Sequence, residues 1–238
     1  MVKLAPGLLV CGFLVSTAGA SPSAPVVVLD PGHGGSNPGA HGPLLREKQL
    51  TLAIASQVAD RLRSHGVTVE LTRTTDRTLT LRQRVAIADA RPADLFVSIH
   101  ANASPTRTQR GFETWVLTPR GVDIDGRAVR SDTGTPRPGV DPEIGLVLDD
   151  VERGASQWEA ADLAARMQRA LRERRGKDGD RGVRQDVKDV LLGATMPAVL
   201  VEVGFIDHPI EGKELADPAV QARLADAIAE AITDQLAE

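Results

Sequence analysis

The chain has 238 residues, of which 42% are hydrophobic and 3% aromatic, with no tyrosine. That is enough apolar chain for one large globular domain, and it excludes a disordered protein. A formal net charge of −4, with its arginines scattered, excludes a basic footprint for nucleic acid, and the scarcity of aromatics argues against a base-stacking platform.

Residues 1–20 read as a secretory signal. Lys3 supplies the positive start, Leu4 to Val15 is mostly apolar, and Ala18-Gly19-Ala20 fits a small-residue cleavage site. The apolar run is too short to cross a bilayer, so no membrane span is expected once the signal is removed. The single cysteine, Cys11, lies inside it; lipid modification there is the lesser reading. Cleavage after Ala20 would leave a mature chain with neither disulfide nor thiolate ligand, exported to the periplasm, the cell wall or the medium.

Ser21 to Pro25 forms a short linker, and residues 26–238 then read as one domain. Strands are expected at 26–30, 67–72, 95–100, 111–117 and 198–203. Several are continuous apolar runs, as expected where both sheet faces are covered. Leu50, Ile54, Val58 and Leu62 mark a helix stopped by Gly66, and Leu81, Val85 and Ala88 mark a second. Ser156 with Glu159 resembles a capping box opening a third, whose buried stripe is Ala160, Leu163, Ala164, Met167 and Leu171. Asp217-Pro218 opens the last, with Val220, Leu224, Ile228 and Ile232 inside. The expected fold is a three-layer α/β architecture with a mostly parallel or mixed central sheet and helices on both faces.

Residues 118–155 break this rhythm. The stretch is rich in Gly, Pro and Asp, and so long a connection in a compact domain is usually functional or disordered. Within it, Asp141-Pro142 looks like a helix start. Ile144, Val147, Leu148 and Val151 share one face, Gly154 ends the run, and Glu143, Asp149, Asp150 and Glu152 crowd the remainder.

Four polar residues stand out by position. His33, His100 and Glu202 end the apolar runs 26–30, 95–100 and 198–203, and Glu47 begins the first helix. In open α/β sheets, ligands gather at the carboxyl ends of strands. Two imidazoles and one carboxylate are a common shell for catalytic zinc, and a second carboxylate outside the shell suits proton transfer. His41, His65 and His208 read as rim or structural residues, with His65 suited to a helix C-terminus.

The local sequences carry a resemblance. Asp30-Pro31-Gly32-His33-Gly34-Gly35, Glu47-Lys48, Arg84-Val85-Ala86, Ser98-Ile99-His100-Ala101-Asn102-Ala103 and Pro197-Ala198-Val199-Leu200-Val201-Glu202-Val203-Gly204-Phe205 resemble the zinc-dependent N-acetylmuramoyl-L-alanine amidases of bacteria (amidase type 3). The resemblance runs from about Val26 to the C-terminus, outside 118–155. It implies His33, Glu47 and His100 as ligands of Zn2+ and Glu202 as the catalytic residue. The implied substrate is the amide between N-acetylmuramic acid and L-alanine in peptidoglycan. It also allows an inserted helix within 118–155 that restrains the site, with Glu143, Asp149 or Asp150 over the metal, and an activating protein partner acting there. Two stretches depart from the pattern: Lys188 and Leu192 flank Val190-Leu191 where an aromatic before and a basic residue after are usual, and Asp207-His208 stands where Ser-Asn is common. The competing readings are a different zinc amide hydrolase or peptidase on this scaffold, and a non-catalytic wall-binding module.

Overall fold

A computed structural model describes residues 23–118, 121 and 139–237. The signal assigned to 1–20, with Cys11, lies outside the described residues. The strands are β1 (Val26–Pro31), β2 (Thr68–Leu71), β3 (Leu95–Asn102), β4 (Phe112–Leu117), β5 (Asp180–Asp186) and β6 (Ala198–Phe205). The helices are α1 (Glu47–Ser64), α2 (Leu81–Asp89), α3 (Pro142–Arg175), the short α4 (Glu211–Glu214) and α5 (Pro218–Leu236).

The six strands form one sheet in the order β2-β1-β3-β6-β4-β5. β2, β1, β3 and β6 run parallel, β4 is antiparallel to β6, and β5 is parallel to β4. This is the mixed sheet expected. Alternation along each strand sorts the apolar side chains between two cores. Val27, Leu29, Val97, Ile99, Val199 and Val201 pack under α1, α3 and α5. Val28, Phe96, Ala198 and Leu200 pack on the other face with Ala88 of α2 and with Leu191 and Met196. Helices therefore cover both faces, but the second is covered only lightly.

Local signals explain most helix limits. Leu50, Ile54, Val58 and Leu62 are fully buried, and Gly66 takes φ +80 just past the helix end. Asp217 caps α5 by accepting from the Ala219 N–H at 2.8 Å, with Pro218 in the first turn.

One expectation needs correcting. The helices placed at 141–153 and from Ser156 are one helix, α3, with Gly154 and Ser156 inside it. A capping box marks a start only where the preceding chain is not already helical. A glycine within a helix costs only about 1 kcal/mol relative to alanine, too little to break a helix already propagating. Along residues 141–153, Ile144, Leu148 and Val151 are 56%, 38% and 63% exposed. The side chains of Glu143, Asp149 and Asp150 lie outside the described residues.

β5 was not expected from the sequence. Asp180-Arg181-Gly182-Val183-Arg184-Gln185-Asp186 has one large apolar residue, because an edge strand buries little of itself.

Candidate metal centre

The site begins with Asp30, buried near the end of β1. Its carboxylate accepts from Thr72 Oγ1 at 2.6 Å, Ser98 Oγ at 2.8 Å and Arg84 Nη1 at 2.7 Å. Arg84 also donates to the carbonyls of Pro31 and His33. Arg73, almost wholly buried, donates to the carbonyls of Pro31, Gly32 and Lys48. Burial, and then the neighbouring Arg84 charge, lower its pKa from the usual guanidinium value. Two buried guanidinium groups thus clamp the turn that carries His33, whose backbone is held at φ +60, uncommon for a residue with a side chain.

The two histidine rings lie edge to face with centroids 4.9 Å apart. Glu47, at the first position of α1, reaches both. Its Oε2 is 3.0 Å from His33 Nε2 and its Oε1 is 3.0 Å from His100 Nδ1. The same oxygens accept backbone N–H bonds from Ala40 at 2.8 Å and Ala101 at 3.0 Å. Asn37 Oδ1 accepts from the other ring nitrogen of His33 at 3.1 Å, leaving Nε2 to face the cluster. Burial pushes the Glu47 carboxyl up, but hydrogen bonds to His100 and His33, with their charges, hold it well below the usual range. Burial likewise lowers the His100 pKa, and the Glu47 hydrogen bond and charge more than reverse this.

Glycines make the room. A Cβ at Gly32 would enter the His100 ring, and one at Gly39 would stand 2.5 Å from Glu47 Oε2 and 2.7 Å from His33 Cδ2.

Glu202 of β6 is the register partner of both His100 and Glu113. Its Oε2 is buried and has no hydrogen-bond partner. Burial raises its pKa to about 7, helped by the charges of Glu47 and Glu113 and opposed by His100 and Lys188. Glu113 is itself buried and held by Asn102 Nδ2 at 2.6 Å, Arg181 Nε at 2.7 Å and Arg184 Nε at 2.8 Å.

All four residues singled out from the sequence therefore converge. His33, Glu47 and His100 offer ligand atoms within 4.8 Å of one another, and Glu202 stands beside them. The donor set fits a borderline cation such as Zn2+, since it is nitrogen and carboxylate oxygen without thiolate. The remaining histidines stay apart. His65 Nδ1 bonds the Arg61 carbonyl at the end of α1, and His208 Nδ1 accepts from the N–H groups of Ile210 and Glu211 at the start of α4. His41 is exposed, on the loop before Glu47. Sequence reasoning missed Arg73 and Glu113. Glu113 left a signal: a lone charge within the apolar strand Phe112-Glu113-Thr114-Trp115-Val116-Leu117.

Fold and site together define an α/β protein with a histidine-carboxylate cluster that could hold a metal ion at its strand ends and a carboxylate oxygen without a partner beside it. Residues 27–234 match the N-acetylmuramoyl-L-alanine amidase family, and the chain belongs to it. It is 34% identical over 216 residues to the N-acetylmuramoyl-L-alanine amidase AmiA of Escherichia coli, covering 87% of this chain and 74% of that protein. It is 32% identical to the protein YqiI of Bacillus subtilis, covering 94% of each. Among solved structures, the amidase AmiC2 of Nostoc punctiforme is similar, with a TM-score of 0.69, 30% identity and coverage of 90% of this chain and 98% of that one. The CwlD amidase of Clostridioides difficile, solved in complex with the GerS lipoprotein, is similar with a TM-score of 0.70, 26% identity and coverage of 90% and 98%.

Proposed function

We propose that this chain hydrolyses the amide between the lactyl group of N-acetylmuramic acid and L-alanine in peptidoglycan. The observation that carries the reading is the His33–Glu47–His100 cluster set beside the partnerless Oε2 of Glu202. Membership of the amidase family supports the choice of amide.

Zn2+ held by His33, Glu47 and His100 would supply Lewis acidity toward water and the scissile carbonyl. Glu202 would take the proton of the attacking water. A carboxyl poised at about 7 is populated in both forms near neutral pH, as a group that takes and returns a proton requires. Glu202 would then deliver that proton to the amine of L-alanine as the C–N bond breaks. The products are a lactyl carboxylate and a free stem peptide. Glu113, neutralised by Arg181 and Arg184, would hold the strand edge next to Glu202 in place.

The test is digestion of defined muropeptides by the zinc-loaded protein, with products identified by mass. Release of stem peptides beginning with L-alanine is expected. Cleavage at another amide would favour a different zinc amide hydrolase or peptidase on the same scaffold. Binding to wall without cleavage, in a folded and zinc-loaded protein, would favour a non-catalytic wall-binding module.

Two further features belong to this reading. The substrate lies outside the cytoplasm, which agrees with export through the signal at 1–20, and N-terminal sequencing of secreted protein should begin near Ser21. Control through residues 118–155 is narrowed by the exposure of Ile144, Leu148 and Val151. That exposed face suits contact with an activating protein partner better than occlusion of the site. Deleting 139–154 with a short Gly/Ser bridge should leave hydrolysis intact and abolish stimulation by such a partner; a rise in basal hydrolysis would instead restore autoinhibition.

A further inference from the structure

The sheet face that carries His100 and Glu202 continues past them across β4 and β5. Register partners point their side chains to one face, and so do alternate residues of a strand. His100 and Glu113 are both partners of Glu202, and Trp115 is the partner of Leu200 and of Arg184. Glu202, Glu113, Trp115 and Arg184 therefore share a face, and it is the one that helices cover only lightly, where Trp115 stays partly exposed. Trp115 stands two residues, or about 7 Å, along β4 from the Glu113–Glu202 pair.

Lys188, two residues beyond β5, reaches onto this face. Its Nζ lies 3.7 Å from the centre of the Trp115 ring, and the Arg184 guanidinium lies 5.8 Å from the same centre. Arg184 is answered by Glu113, which accepts from its Nε at 2.8 Å. The Lys188 ammonium donates no hydrogen bond among the described residues. Its ion pair is with Asp186 Oδ2, 3.6 Å away on a side chain that is 59% exposed. So open a pair holds weakly and gives way to a better partner. The Lys188 side chain is itself 28% exposed, and its unbonded Nζ is not among the buried polar atoms, so a ligand can reach it. Its charge also acts on the Glu202 carboxyl, which places the ammonium beside the proposed proton carrier. An accessible ammonium steadied on an indole ring, next to the reacting bond, is suited to an anionic group of the substrate.

We propose that Lys188 binds the α-carboxylate of the second stem-peptide residue, and so selects stems in which that residue is D-glutamate over stems in which it is D-isoglutamine. The proposal rests on the amidase reading, which brings the scissile nitrogen to Glu202. In the stem, D-glutamate continues the chain through its γ-carboxyl, so its α-carboxylate is the first anion beyond the scissile bond. Two extended residues span up to about 7 Å from that nitrogen. This is the same length as the step along β4 from the Glu113–Glu202 pair to Trp115, over which Lys188 stands. Amidation of the α-carboxylate removes the charge that Lys188 would answer. Lys188 also belongs to one of the two stretches where the chain departs from the pattern it otherwise resembles, as a residue that sets specificity in this chain would.

The test is calorimetric titration of the full, zinc-loaded protein with L-Ala-γ-D-Glu-L-Lys and with the same tripeptide carrying a carboxamide in place of the D-glutamate α-carboxylate. The first should bind about tenfold tighter or more, the range expected of a charge-assisted hydrogen bond. Lys188→Met keeps an apolar stem over Trp115 and should lower affinity for the acid to that for the carboxamide, with melting temperature and zinc content unchanged. Lys188→Arg keeps the charge and should keep the preference. Equal affinity for the two peptides in the unaltered protein overturns the proposal, and so does a preference that survives Lys188→Met. A Lys188→Met variant that weakens both peptides alike also overturns it, because Lys188 would then only support Trp115. Since these measurements follow the product peptide, they do not need turnover. A protein that prefers the acid yet frees no stem peptide from muropeptides would sink the amidase reading and leave the carboxylate site standing.

Discussion

Two carboxylates of the site stand in opposite surroundings. Both oxygens of Glu47 are engaged, by two imidazole nitrogens and two backbone N–H groups, and its carboxyl is held far below the ordinary range. Glu202, one strand away from His100, has a buried oxygen with no donor and a carboxyl pushed up to about 7. The difference suits the two roles proposed for them, metal ligand for Glu47 and proton carrier for Glu202. A metal ligand has to stay ionised whether or not the metal is bound, and so needs donors in place beforehand. A proton carrier has to change charge near neutral pH, and so needs burial without donors.

The largest effect should come from breaking the first corner. His100→Ala or Glu47→Gln should end stoichiometric metal retention, measured by elemental analysis after gel filtration. Hydrolysis should fall by well over the roughly 100-fold that loss of an outer-shell partner brings. A variant that kept one metal per chain and full activity would break the assignment of ligands.

Next in size is the clamp beneath His33. Arg73→Met removes donors from three buried carbonyls at once. The expected cost is about 3 kcal/mol, or roughly 6–12 °C of melting temperature for a domain of this size. A melting curve shifted by less than about 2 °C would show that Arg84 holds the turn by itself.

A smaller and more local effect is expected at Gly39. Gly39→Ala places a methyl between Glu47 and His33 at a φ of +65. Metal affinity should fall about 10–100-fold, judged by competition with a chelator, while the fold stays cooperative. Unchanged affinity would mean that the loop before α1 yields more easily than its hydrogen bonds suggest.

The smallest effect concerns the second corner and is read in metal-free protein. The Glu202 carboxyl is raised from 4.5 to about 7 on folding, so the protonated form is the one the fold favours. Its contribution to stability is present below pH 4.5 and is lost as pH rises through about 7. Glu202→Gln should therefore melt a few degrees above the unaltered metal-free protein at pH 8 and alongside it near pH 4.5. A variant less stable than the unaltered protein at pH 8 would mean that Glu202 has a donor and is not poised.

The comparison also separates what was legible in the sequence from what was not. His33, His100 and Glu202 were legible because each ends an apolar run, and strand ends gather on one edge of a parallel sheet. Glu47 was legible as the first residue of a helix with a clear four-residue period. Arg73 was not, since a buried arginine answered by carbonyls looks in sequence like any surface arginine. β5 was hidden because its charged side chains answer Glu113 rather than an apolar core. The start of α3 was legible at Asp141-Pro142, but its continuity was hidden by Gly154 and Ser156, whose local preferences lose to a helix already under way.

The central claim is the division of labour between the two corners, and one variant tests it most directly. Purified Glu202→Gln should be measured for metal content and for release of stem peptides from muropeptides in the same preparation. One zinc per chain with hydrolysis lowered by about 10²–10⁴-fold is the predicted result. A folded Glu202→Gln that has lost its zinc, or one that keeps both zinc and full hydrolysis, would contradict it.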